Sequence, residues 1–131
     1  MNAVTKYSRS TPEQQRAKDA WDRTQGCRDD YVKLAKGLPA LITNSGLMQV
    51  MAYLKEKGSD KNGREDPADP HTQIATHLRA WLHARFPQVP ESFEGFMEAL
   101  LKAGPRDYQA ITAEAFAWLK WLRQMAAARR G

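Results

Sequence analysis

Along most of this chain, apolar residues recur with the three-and-four spacing of a single helix face, and the breaks fall at Pro, Gly and clustered polar positions. Ser10 or Thr11 offers an N-cap oxygen, Pro12 is a first-turn residue that needs no amide partner, and Glu13 and Gln14 follow. Ala20, Cys27, Tyr31, Leu34 and Leu38 then share one stripe, with Ala17 and Trp21 beside it and Asp19, Asp22, Asp29, Lys33 and Lys36 mostly off it. The spacing predicts a first helix over about 12–36. Gly26 weakens its middle by roughly 0.5–1 kcal/mol relative to Ala, which allows a bend or break there.

Gly37 and Pro39 predict the end of that helix, because proline disfavours helical backbone at Leu38. Leu41 and Ile42 open a short apolar turn, and Asn44, Ser45 and Gly46 lead into a helix with Leu47, Val50, Met51 and Leu54 on one face and Gly58 at its end. Residues 59–70, with Gly63, Pro67, Pro70 and many charges, read as an exposed loop. Asp69 and Pro70 open a helix bearing Ile74, Leu78, Trp81 and Leu82, closed by Phe86 and Pro87. Glu91 or Ser92 starts a short helix with Phe93, Phe96, Met97, Leu100 and Leu101 in register, ended by Gly104 and Pro105. Thr112 and Glu114 open the last helix, whose inner face is Ala115, Trp118, Leu119, Leu122 and Met125. No segment alternates with period two, so the fold class is all-α: a compact single-domain bundle of about five or six helices, with residues 1–10 flexible.

Size supports this reading, since 131 residues can bury about 68% of the extended chain's surface around one core. No apolar run approaches the roughly 18 residues of a bilayer span, and the N-terminus lacks the order of a secretion signal, so a cytoplasmic protein is expected. Cys27 has no disulfide or thiolate-site partner and reads as a half-buried helix residue. His71, His77 and His83 are six residues apart and cannot share a metal as an i, i+4 pair does. Asp29, Asp30 and the acids of the 59–70 loop have no His partner, and there is no phosphate loop, nucleophile elbow or zinc spacing. The residues therefore predict a non-enzyme with no cofactor, metal or small-molecule substrate.

The net charge of +5 is unevenly spread. It is +4 over residues 1–58, −2 over 59–105 and +3 over 106–131, so a fold that pairs the two ends presents one basic face, as a polyanion binder does. Lys18 with Asp22, Asp19 with Arg23 and Asp29 with Lys33 are i, i+4 pairs. Arg28, Lys36, Lys120 and Arg123 have no acid three or four residues away. Lys55, Lys57, Arg129 and Arg130 are also uncompensated, but each ends a helix where the backbone dipole accounts for a cation. The ranking of candidates to meet a phosphate is Lys120 and Arg123, then Arg28 and Lys36, then Lys55 and Lys57. Of the aromatics, which could in principle stack on nucleobases, Trp21, Trp81 and Trp118 read as core; Trp121, flanked by Lys120 and Arg123, is the exception and reads as reaching the rim of the core or a partner surface, ahead of Tyr7 and Tyr108.

Three stretches carry a resemblance that charge alone does not: Arg16-Ala17-x-x-Ala20-Trp21; Leu38-Pro39-x-Leu41-Ile42-x-x-x-Gly46-Leu47 with Tyr53 and Lys57; and Tyr108-x-x-x-Thr112-x-Glu114-Ala115-x-Ala117-Trp118-Leu119-Lys120-Trp121-Leu122-Arg123. In this order they resemble the small subunit of the type III-B CRISPR RNA-targeting (Cmr) complex; residues 59–95 contribute nothing to the match. The resemblance implies an all-helical, non-catalytic subunit acting in antiviral defence. Its copies stack beside the backbone subunits that hold guide RNA, so that target RNA lies between the two filaments. Its implied partners are the other Cmr subunits, further copies of itself, and both RNAs, with no membrane. The residues by themselves also allow a free-standing helical DNA-binding protein, with Arg28 to Leu54 as a helix-turn-helix, or a structural adaptor that never meets RNA.

Overall fold

A computed structural model describes residues 10–130; the expectation for the first nine residues, and Tyr7 with them, lies outside the described residues. Within the described residues six helices run in order: α1 Pro12–Arg23, α2 Asp29–Ser45, α3 Leu47–Gly58, α4 Pro70–Arg85, α5 Phe93–Lys102 and α6 Pro105–Arg130. Three of their starts are written in local chemistry. Thr11 and Gln14 form a reciprocal capping box, the Asp69 carboxylate accepts from the His71 amide, and Ser92 accepts from the Gly95 amide.

Three boundaries differ from the sequence expectation. The first predicted helix is two helices. The chain leaves α1 at Thr24, whose buried hydroxyl donates to the Ala20 carbonyl, and Gly26 takes a left-handed φ of 70° that turns it into α2. Next, α2 does not stop at Gly37 but passes through Pro39 to Ser45. A proline inside a helix costs about 3 kcal/mol in lost hydrogen bonding and steric clash. Here Leu38, Pro39 and Ile42 are all buried, and that core packing offsets the penalty. Finally, α6 starts at Pro105, seven residues before the expected cap at Thr112. The first helical bond, from the Tyr108 amide to the Gly104 carbonyl, needs no donor from Pro105, and the Thr112 hydroxyl lies buried within the helix without a hydrogen-bond partner among the described residues.

α6 organises the packing. It runs between α1 and α2 and also touches α4, while α3 packs on α2, α4 and α5. Contacts from Arg16 to Glu114, Asp19 to Trp118 and Trp21 to Arg129 show that α1 is parallel to α6. α2 is antiparallel to it, because Asp29 meets Arg130 at one end and Gly46 lies by Tyr108 at the other. Leu38, Leu54, Ile74, Leu78, Phe96, Trp118, Leu119 and Leu122 are fully or almost fully buried in one continuous core. Residues 60–68 are exposed, and the turn is shaped by the Asp60 carboxylate, which accepts from the Asn62 and Arg64 amides.

One carboxylate ties three helices together. Glu114 on α6 receives both Nε and Nη2 of Arg16 from α1, at 2.7 and 2.9 Å, and Nε1 of Trp81 from α4 at 2.9 Å. Burial pushes its carboxyl upward, but the bonds from Arg16 and Trp81 outweigh burial and leave it below its ordinary value. Asp19 shows the opposite balance: burial raises its carboxyl although the Trp118 N–H bonds it.

Two outcomes are expected. Gly46 joins α2 to α3 at φ 86° and ψ 162°, a region costly to any residue with a Cβ, so Gly46→Ala should lower urea-unfolding stability by about 1–3 kcal/mol at unchanged helicity. Removing the Glu114 charge leaves the half-buried Arg16 without its counter-ion, so Glu114→Gln should cost about 1–3 kcal/mol at neutral pH. Because the folded carboxyl is depressed, its contribution is complete above the unfolded value near 4.5 and is lost as pH falls from there through the lower folded value. Chemical unfolding at pH 5.5 and pH 3.5 should therefore show a smaller acid loss for Glu114→Gln than for the wild type.

Candidate nucleic-acid interface

The sides of α6 that meet α1, α2 and α4 are occupied by core contacts, and among the residues left outside one stripe is basic. Arg106, Gln109, Ala113, Phe116, Lys120, Arg123, Ala127 and Arg130 recur at steps of three and four, which place them on one side of the helix. All are exposed except Phe116 and Ala127, which are half-buried. Over about 36 Å of helix this stripe holds four cations and no acid. The two acids of α6, Asp107 and Glu114, lie off it. Arg106, Lys120 and Arg123 make no ion pair among the described residues, and the Lys120 ammonium rests 5.3 Å from the centroid of the Phe116 ring one turn earlier.

Sequence reasoning misses Arg106, because a last helix starting at Thr112 leaves that residue in a loop. Pro105, a favoured first-turn residue, is the available signal.

The other candidates are dispersed. Lys36 on α2 is exposed and makes no ion pair among the described residues. Arg28, expected to be uncompensated, is paired with Asp30 at 2.9 Å, two residues on, a spacing that an i, i+4 search does not test. Lys55 is engaged by Glu65 at 3.5 Å and lies 5.4 Å from the Phe93 ring centroid; Lys57 is exposed and, like Lys36, without an ion pair among the described residues. Both are on α3, which packs on α2, α4 and α5 and not along α6.

Arg129 and Arg130 have partners that the chain order hides. Arg129 stacks on Trp21, 3.4 Å from the ring centroid, and Arg130 pairs with Asp29 at 2.6 Å. Asp29 is therefore held by Arg130, and no ion pair joins it to Lys33. Trp21 is correspondingly exposed and not core, whereas Trp81 and Trp118 are buried as expected and Trp121 is half-buried.

The three histidines are half-buried and each is hydrogen-bonded: His71 to Asp69, His77 to Tyr31, and His83 to the Val89 carbonyl. No three His, Cys, Asp or Glu side chains among the described residues group as a metal site. No described helix is long and apolar enough to cross a membrane. α2 and α3 meet through Gly46 alone, which does not match the three- or four-residue turn of a DNA-binding helix-turn-helix.

The family model for the CRISPR-associated protein Cas_Cmr5 matches residues 12–129, nearly the whole described chain. The chain belongs to the Cmr5 family. The resemblance drawn from its sequence to the Cmr small subunit agrees with that membership. A crystal structure of a CRISPR-associated Cmr5 family protein from Thermus thermophilus shares the fold, with a TM-score of 0.71 at 22% identity over 93% of this chain and 99% of that one. No curated protein matches the chain significantly. Within this Cmr5-family fold, α6 forms the spine, and its outer stripe is where unpaired cations accumulate.

His77 generates a pH dependence. Burial, with Arg23 nearby, lowers its pKa from 6.5 to about 4, so folding favours the neutral ring. Its contribution is complete above pH 6.5 and is lost as pH falls from there toward 4. The urea midpoint should therefore be lower at pH 5 than at pH 7.5, and His77→Gln should shrink that difference.

Proposed function

We propose that this Cmr5-family protein is the non-catalytic small subunit of a type III-B CRISPR complex, and that copies of it stack head to tail along the backbone subunits. In this reading the outer stripe of α6 follows the phosphates of the target RNA, while base pairing with the guide RNA supplies sequence. Cleavage belongs to other subunits.

One observation carries the reading: along about 26 Å of one helix face Arg106, Lys120 and Arg123 are exposed and without an ion pair among the described residues. Unpaired surface cations in a row suit a polyanion, since every phosphate neutralised releases counterions. Lys36 and Lys57, exposed and without an ion pair among the described residues, lie on α2 and α3 and rank after the stripe. Arg28 and Lys55 stand behind them, because each already has a carboxylate partner. Head-to-tail contacts are heterologous, so they build open rows and repeat the stripe from copy to copy. A row binds a strand far more tightly than one copy does.

If one copy neutralises about three phosphates through Arg106, Lys120 and Arg123, its affinity for single-stranded RNA should fall roughly twenty-fold between 50 and 200 mM salt. Lys120→Glu with Arg123→Glu should flatten that dependence to about three-fold and weaken target-RNA binding by the assembled complex, with circular dichroism unchanged. Unchanged RNA affinity of the double variant at low salt would falsify the assignment of this face.

A further inference from the structure

Beside the stripe, where α6 meets α1, the side chains of Glu13, Arg16, Ala117, Lys120, Trp121 and Gln124 line an open cleft of about 470 Å³. We propose that this cleft accepts one unpaired nucleobase, stacked on Trp121, from the strand whose phosphates follow α6. The inference rests on the interface reading above and adds to it a contact to the base itself.

The four tryptophans differ in what remains available on them. Trp81 and Trp118 donate their indole N–H groups to Glu114 and Asp19, and Trp21, though exposed, has one face covered by the Arg129 guanidinium. Trp121 is half-buried, its N–H has no protein acceptor among the described residues, and none of their cations sits on its ring. Trp121 packs partly against the core, and the part of it that lines the cleft is thus available at a place where a bound strand passes.

The walls suit a base better than another occupant. Ala117, one turn before Trp121, is small and leaves room beside the ring. Arg16 is locked by its two bonds to Glu114, so that wall is set before anything binds. The Glu13 carboxylate repels a free phosphate or a peptide carboxylate but accepts from the amino or imino N–H of a base. The Gln124 amide both donates and accepts, and so suits the edge of any base. Lys120 belongs to both the cleft and the stripe, which places a cation for the adjoining phosphate. Stacking is tolerant of sequence, so such a slot anchors the strand without competing with guide pairing.

The test uses the full chain at low salt with an oligoadenylate of about fifteen nucleotides and an abasic phosphodiester of equal length, read by tryptophan fluorescence and by anisotropy. Wild type should bind the oligoadenylate with fluorescence quenching and bind the abasic strand about tenfold more weakly. Trp121→Leu should remove most of the quenching and bring the oligoadenylate affinity down to the abasic level. Ala117→Phe, which keeps the indole but fills the cleft, should weaken the oligoadenylate alone. Equal wild-type affinity for the two strands, or oligoadenylate binding unchanged by both substitutions, overturns the base slot and leaves the α6 interface standing. Failure of wild type to bind either strand overturns the interface reading and the slot with it.

Discussion

The buried carboxylate of Glu114 is the constraint on which the arrangement of helices depends. A charge taken out of water is costly unless it is paired and fully hydrogen-bonded, and Glu114 meets that condition only when α1 supplies Arg16 and α4 supplies Trp81. Apolar burial alone tolerates many sliding and rotational variants of a helix bundle, whereas a bidentate guanidinium and an indole N–H accept one geometry. The Asp19 bond to Trp118 repeats the device one turn further along the same pair of helices. Together they set α1 parallel to α6 and fix the rotation of α6 about its own axis.

That rotation decides which cations face out. With Glu114, Trp118 and Leu122 turned inward, Arg106, Lys120 and Arg123 point away from the core, along a stripe that holds no acid. The far end of the helix is used differently. Arg129 and Arg130 close the α1–α2 turn through Trp21, the Cys27 carbonyl and Asp29, so their charge is structural. A basic segment in sequence thus divides into cations that hold the fold and cations left for a partner.

The periodicity of apolar residues was enough to read an all-helical bundle, the positions of most helices, and the core roles of Trp81, Trp118, Leu119 and Leu122. It misjudged Pro39 because local propensity counts the lost hydrogen bond and takes no account of Leu38 and Ile42 packing on either side. It started α6 late because Thr112 has the chemistry of a cap, and a hydroxyl cannot be recognised as interior without knowing that Pro105 already begins the helix. It placed Trp21 in the core because helical spacing shows which face a residue shares but not whether another element covers that face.

By itself the sequence determined what short-range physics controls: caps, breakers, the helical period, the excess of positive charge at the two ends, and the words that place the chain in its family. Only the tertiary structure decided which charges are paired. Glu114 finds Arg16 across 98 residues, Arg130 finds Asp29, and Lys55 finds Glu65 across a loop, while Arg106, Lys120 and Arg123 find no acid among the described residues. Ion pairing depends on distance in space, and a sequence specifies that distance only within a turn or two of helix.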